Sequence, residues 1–166
     1  IEAFRGFVLQ AGVFSTKENA ELGAASYHEH GFSTLIWERD QQFFLFSGIA
    51  QSQEQAKGLV SDYEAYGLEV FVKEWTTPDI TIQLTSEEKD WLDTLIGLWQ
   101  NVNPTAPTNT QEWKQLLADF PTSAKLDPIK TVLNDYVSHQ DQLNPSKSQQ
   151  LKLAIWQSLD GLAQTE

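Results

Sequence analysis

A chain of 166 residues that is 40% hydrophobic, with 6 Trp, 4 Tyr and 9 Phe, can build one or two packed cores and is too apolar for a disordered tail. Its 23 Asp and Glu outnumber 11 Lys and Arg, and the formal net charge of -12 repels phosphate backbones and anionic lipid surfaces, which argues against nucleic-acid or membrane-surface partners. With no cysteine there is no disulfide framework, thiolate zinc site or cysteine nucleophile.

No apolar run approaches the ~20 residues of a membrane-spanning helix. Methionine is absent, so the sequence is expected to be part of a longer chain whose anchoring or targeting segment lies elsewhere.

The first half repeats itself. Residues 7–38 align with 43–74 at an offset of 36, which pairs Phe7 with Phe43, Leu9 with Leu45, Gly12 with Gly48 and Glu18 with Glu54. The same offset pairs Ala20 with Ala56, Tyr27 with Tyr63, Gly31 with Gly67 and Glu38 with Glu74. Each copy opens with an apolar, alternating stretch that predicts a strand, over 7–14 and 43–50. Ser15 with Glu18, and Ser52 with Gln55, read as capping boxes, so a helix is expected directly after each strand. Ala20, Ala24 and Tyr27, and Ala56, Val60 and Tyr63, give each helix one apolar face. Gly31 and Gly67 supply left-handed C-caps, and a second strand closes each copy, over 33–38 and 68–75. The order is βαββαβ.

Thr76 to Asp79 mark a boundary, and Ile80, Ile82 and Leu84 alternate with polar residues as in a short extra edge strand. The period then becomes helical. Thr85 with Glu88 caps a helix carrying Trp91, Leu95, Leu98, Trp99 and Val102, and Asn109 with Glu112 caps a shorter one carrying Trp113, Leu116, Leu117 and Phe120. Asp127 before Pro128, and Asn144 before Pro145, cap two more, which carry Ile129, Val132, Leu133, Tyr136 and Val137, then Leu151, Ala154, Ile155, Leu159 and Leu162. The expectation is an α+β domain over 1–78 followed by a small all-α bundle of about four helices over 79–166.

The segment Phe7-Val8-Leu9-Gln10-Ala11-Gly12-Val13-Phe14, a strand with a central Gln and then Gly before a capped helix, resembles the first motif of the SPOR (sporulation-related repeat) domain family. Phe43-Phe44-Leu45-Phe46-Ser47-Gly48-Ile49 resembles the strand that begins that family's second repeat, and Gly31-Phe32 and Gly67-Leu68 match its entries to strands two and four. The resemblance spans residues 4–75 and implies a ferredoxin/RNP-like βαββαβ fold. With the helices that follow, the whole is similar to the extracytoplasmic part of sporulation proteins of the stage II B type. The resemblance further implies binding to peptidoglycan glycan strands that lack stem peptides, recruitment to septa where amidases have acted, and a membrane-anchored parent. Septal or sporulation proteins are further expected partners. Gln10 is the residue carried over to the glycan site. Val13 stands where many members have Ser or Ala, and Phe44 where many have Arg, so two sugar-binding polar groups are missing.

Read from the residues alone, strand alternation puts Val8, Gln10 and Gly12 on one face and Leu9, Ala11 and Val13 on the other. If Leu9, Ala11, Leu45 and Ser47 face the helices, the opposite face presents Val8, Gln10, Leu35, Trp37, Phe44, Phe46, Phe71 and Lys73. This is either a binding platform, on which aromatic rings stack against sugar C–H faces while Gln10 fixes orientation, or a surface covered by the C-terminal helices or a second copy. The candidate glycan-binding residues are Gln10, Gly12, Val8, Trp37, Phe44 and Phe46.

His28 and His30 flank Glu29, but positions two apart on a helix point roughly 200° apart and do not converge on one ion. His139, four residues after Asp135, reads as a surface pair, and the carboxylates are scattered over helix ends. No metal site, cofactor or catalytic group is expected. The reading is a non-enzymatic cell-wall binding and localisation module. A protein-interaction scaffold with a degenerate or occluded site is the rival, and RNA recognition or amino-acid binding of the ACT type on the same topology has less in its favour, given the acidic balance and the lack of a marked ligand loop.

Overall fold

The computed structural model describes residues 1–164. The chain forms two compact units, a sheet unit of Phe4–Thr76 and a helical unit in which Ile1–Ala3 join the chain from Thr77 onward.

The sheet unit runs β1 (Phe4–Phe14), α1 (Lys17–Glu29), β2 (Leu35–Arg39), β3 (Gln42–Ala50), α2 (Gln53–Glu64) and β4 (Phe71–Thr77). This is the α+β order that the repeat implies. The strands lie in the order β2-β3-β1-β4, with β1 and β2 each antiparallel to β3. The second helix is capped as expected, with Ser52 Oγ accepting from the Gln55 amide at 3.1 Å. The first is capped one residue later than expected: Thr16 Oγ1, not Ser15, accepts from the Asn19 amide. Both helices end on glycines with positive φ, +83° at Gly31 and +71° at Gly67, where a side chain would be strained. The reversal that follows is the same in each copy, with the Phe32 amide donating to the Tyr27 carbonyl and the Leu68 amide to the Tyr63 carbonyl.

Leu9, Tyr27, Ala50, Ala56, Tyr63 and Val70 form the core between helices and sheet, with Phe7, Ala11, Phe32 and Val72 packed on it. The repeat also governs the buried hydroxyls. Tyr27 donates to the carbonyl of Glu69, and Tyr63 meets Ser47, whose hydroxyl donates to the carbonyl of Ser33 at 3.0 Å. Residues 33 and 69 are equivalents at the offset of 36, so each tyrosine serves the strand entry of the other copy. Burial raises the hydroxyl pKa of Tyr27 and pushes that of Tyr63 to about 12, keeping both protonated as donors.

The central strand pair is irregular where the repeat places its glycines. Register holds from Phe7 opposite Ala50 to Leu9 opposite Gly48, shifts so that Gln10 faces Phe46, and shifts back so that Gly12 faces Leu45 and Val13 faces Phe44. Strict alternation fails across this bulge. Gly12 turns to the helix side, where a Cβ would lie 2.8 Å from the ring of Phe14, and that ring also abuts Gly23 of α1. Val13 joins the opposite face and is 40% exposed. The expected grouping of Gly12 with Val8 and Gln10 is therefore corrected: the bulge, which a period of two does not anticipate, makes Gly12 a seat for Phe14.

The helical unit contains α3 (Ser86–Gln100), β5 (Thr108–Asn109), α4 (Gln111–Ala118), α5 (Asp127–Val137), β6 (Gln142–Leu143), α6 (Pro145–Gly161) and a final 3₁₀ turn (Leu162–Gln164). Thr85 and Glu88 close a full capping box, and Asn144 Oδ1 accepts from the Lys147 amide at 2.8 Å ahead of Pro145. Two expected caps are replaced. Asn109 accepts from the Gln111 amide in a turn before α4, and Ser123 Oγ, rather than Asp127, receives the Leu126 amide at the start of α5. The edge strand expected over 80–84 does not form. Ile80 exchanges both backbone bonds with Ile1 at 2.8 Å, and the Gln83 carbonyl takes the Lys125 ammonium. β5 and β6, which sequence patterning missed, pair antiparallel over two residues each, too short to show a period.

Three tryptophans fix the helical unit by donating to buried partners: Trp91 to the Leu116 carbonyl at 2.8 Å, Trp99 to the Lys152 carbonyl at 2.9 Å and Trp156 to Thr77 Oγ1 at 2.8 Å. Lys152, buried in the run Leu151–Trp156, donates its ammonium to the Val102 carbonyl at 3.0 Å, and burial lowers its pKa.

Candidate functional site

On the sheet face away from α1 and α2, Trp75 of β4 reaches past β1 to Phe44 and Phe46 of β3, with ring centroids 4.9 Å apart in both cases, and to Trp37 of β2 at 5.5 Å. The rings meet tilted or edge to face, the geometry that aromatic quadrupoles favour. Register explains the gathering. Leu35 lies opposite Phe46 and Trp37 opposite Phe44, so alternate residues of two neighbouring strands share this face.

Arg39 continues the same alternation at the end of β2. Its guanidinium lies 3.7 Å from the Trp75 ring centroid and 5.8 Å from that of Trp37, a double cation–π contact. The two-residue turn that follows places both Asp40 and Gln41 at positive φ, 54° and 63°, the primed hairpin geometry usually left to Asn and Gly. That turn pins Arg39 opposite Gln42. The Trp75 indole nitrogen is the one buried side-chain polar atom among the described residues without a hydrogen-bond partner.

The structure brings most of the expected residues to this face. Gln10 is half-buried opposite Phe46, and Phe44 is half-buried beside the exposed Val13. Val8, Trp37 and Phe46 are buried, so their rings and methyls shape the surface rather than stand on it. Gly12 lies on the other side, as described above. Lys73 and Phe71 of β4 are exposed, Phe71 at 55%. Sequence reasoning missed Arg39 and Trp75. The two-residue step from Trp37 to Arg39 was a readable signal for the first. Trp75 sits at the strand's end, where the side-chain period is least certain.

Chemically the face offers an amide, a guanidinium and aromatic edges. Among the described residues no group of three metal-ligating side chains gathers. His28 Nε2 is hydrogen-bonded to Thr34 Oγ1 at 2.7 Å, and His30 stacks on Tyr66 with centroids 4.6 Å apart. His139 is exposed.

No family model matches the chain, and no curated protein matches it. It is similar to the solution structure of the peptidoglycan binding domain of the B. subtilis cell wall lytic enzyme CwlC, with 22% identity over 43% of this chain and 91% of that one, and a TM-score of 0.39.

Proposed function

We propose that the sheet unit binds glycan strands of the bacterial cell wall, without catalysis, and brings its parent chain to wall that has lost its stem peptides. The observation that carries this reading is the half-buried Gln10 amide, set at the bulge of the central strand opposite Phe46, on the face that also carries the half-buried Phe44 and is rimmed by Arg39. A ring packs against sugar C–H groups, and an amide offers both a donor and an acceptor to hydroxyl and acetamido groups. Arg39 suits denuded strands in particular. Hydrolysing the amide that joins a stem peptide to its sugar leaves a carboxylate, which a guanidinium binds well. In sporulation or division this selects septal wall, on the extracytoplasmic side of the membrane, and the resemblance to SPOR repeats supports that placement.

The reading predicts that the full chain is retained on amidase-treated sacculi more than on intact ones. Gln10→Ala should weaken retention by on the order of 1 kcal/mol, the worth of one polar contact. Equal retention of wild type and variant, or none by either, removes the glycan reading. A second reading, a protein-interaction scaffold whose glycan face is closed, is favoured by the burial of Val8, Trp37 and Phe46, each at 3% exposure or less. It predicts no retention on either preparation.

A further inference from the structure

The helical unit carries a cleft of about 440 Å³ at the meeting of α3 with α4 and the segment after α4. Its apolar wall is Trp91, Leu116 and Phe120, with the Trp91 and Phe120 rings edge to face at 5.0 Å. The Trp91 N–H is already spent on the Leu116 carbonyl, so this wall offers surface without a free indole donor. The rim is acidic. Glu87 and Asp90 stand three residues apart on one face of α3, and Asp119 closes the C-terminal end of α4. None of the three carboxylates is in an ion pair among the described residues; Asp119 accepts only from the Gln115 amide at 3.2 Å. The Phe120 ring already holds one cation, with Lys130 Nζ 4.9 Å from its centroid.

We propose that this cleft docks a basic segment of a partner protein, whose lysine or arginine stem lies along Trp91 and Phe120 while its charged head meets Glu87, Asp90 and Asp119. Long cationic side chains are built for such a site, with an apolar stem and a solvated head. Charge complementarity also selects against a second copy of this chain, since two molecules of net charge -12 repel. The cleft lies wholly within the helical unit, so the inference stands whether or not the sheet unit binds glycan.

The test is fluorescence anisotropy of a labelled peptide of alternating lysine and leucine, titrated with the full chain, beside a matched peptide of glutamate and leucine. The lysine peptide is expected to bind, more weakly as salt rises, and the glutamate peptide is not. Asp90→Asn with Asp119→Asn should weaken binding roughly fivefold, from two exposed charge pairs of about 0.5 kcal/mol each. Glu54→Gln with Glu64→Gln on α2, which removes the same charge elsewhere, should leave it within about twofold, and Asp90→Glu should retain it. Equal losses from the two charge-matched pairs, absence of binding by the wild type, binding of the glutamate peptide, or self-association that Asp90→Asn disperses would each overturn the proposal.

Discussion

The tryptophans of the two units are used differently. In the helical unit Trp91, Trp99 and Trp156 each donate to a buried acceptor from another element, so ring packing and a directional bond together fix how helices meet. In the sheet unit Trp75 is also buried, yet its N–H has no partner among the described residues and its ring face is held by a guanidinium. A buried donor left unpaired costs stability that a purely structural position would shed. The helical tryptophans are thus fixed by directional bonds, whereas Trp75 is fixed by ring contacts and by the Arg39 cation.

The sharpest way to break that comparison is to remove one N–H from each unit. Trp99→Phe and Trp75→Phe delete similar ring volume, but the first also removes a buried hydrogen bond to the Lys152 carbonyl while the second removes an unsatisfied donor. Trp99→Phe should therefore destabilise the protein by about 0.5–1.5 kcal/mol more than Trp75→Phe in urea denaturation. Equal losses would mean that the indole bonds carry no difference between the units.

A second prediction divides framework from site within the sheet unit. Gly12→Ala should cost about 1–3 kcal/mol, because its Cβ would press on the Phe14 ring at 2.8 Å, and Phe14 is in turn confined by Gly23. The loss should be relieved in the double variant with Phe14→Leu, which frees the space. A neutral Gly12→Ala would show that the ring moves aside freely.

Much of this was legible. The repeat revealed the order of elements in the sheet unit because it fixes both the turn glycines and the helix faces, and Gly31, Gly67, Tyr27 and Tyr63 hold those places in the structure. Gln10, Trp37, Phe44 and Phe46 were assigned to the correct face by alternation alone. Gly12 and Val13 were not, because a bulge changes the period at one residue and leaves no signature in a pattern of apolar and polar letters. The caps at Asn109 and Asp127 were misread for a related reason. A capping residue type marks a turn, but which amide it meets depends on the path of the loop, and at α5 Ser123 arrives first.

The smallest expected effect concerns pH. Burial pushes Lys152 below its ordinary pKa of 10.5, so in the window between the folded and unfolded values the unfolded chain holds more proton. Stability of the helical unit should rise with pH across that window, and Lys152→Met should flatten the rise in thermal melts. Tyrosine burial acts in the opposite sense, at Tyr136 of α5 in the helical unit and at Tyr63 in the sheet unit. The Tyr63 pKa is raised from 10.0 to about 12, so its contribution to the sheet unit is complete below pH 10 and is lost as pH climbs toward 12. A helical unit whose stability falls as pH rises toward 10 would contradict the placement of Lys152.

We propose that the face built by Gln10, Phe44, Trp75 and Arg39 reads a denuded glycan strand, with Arg39 answering its carboxylates. The most direct measurement is equilibrium binding of soluble denuded strands, with their carboxylates free or capped as methylamides, to wild type and to Arg39→Gln. Capping should weaken wild-type binding roughly tenfold, as expected for a charge-assisted hydrogen bond of about 1.5 kcal/mol or more, and should change Arg39→Gln little. Tight wild-type binding that ignores the cap, or an equal loss in both proteins, would contradict the account.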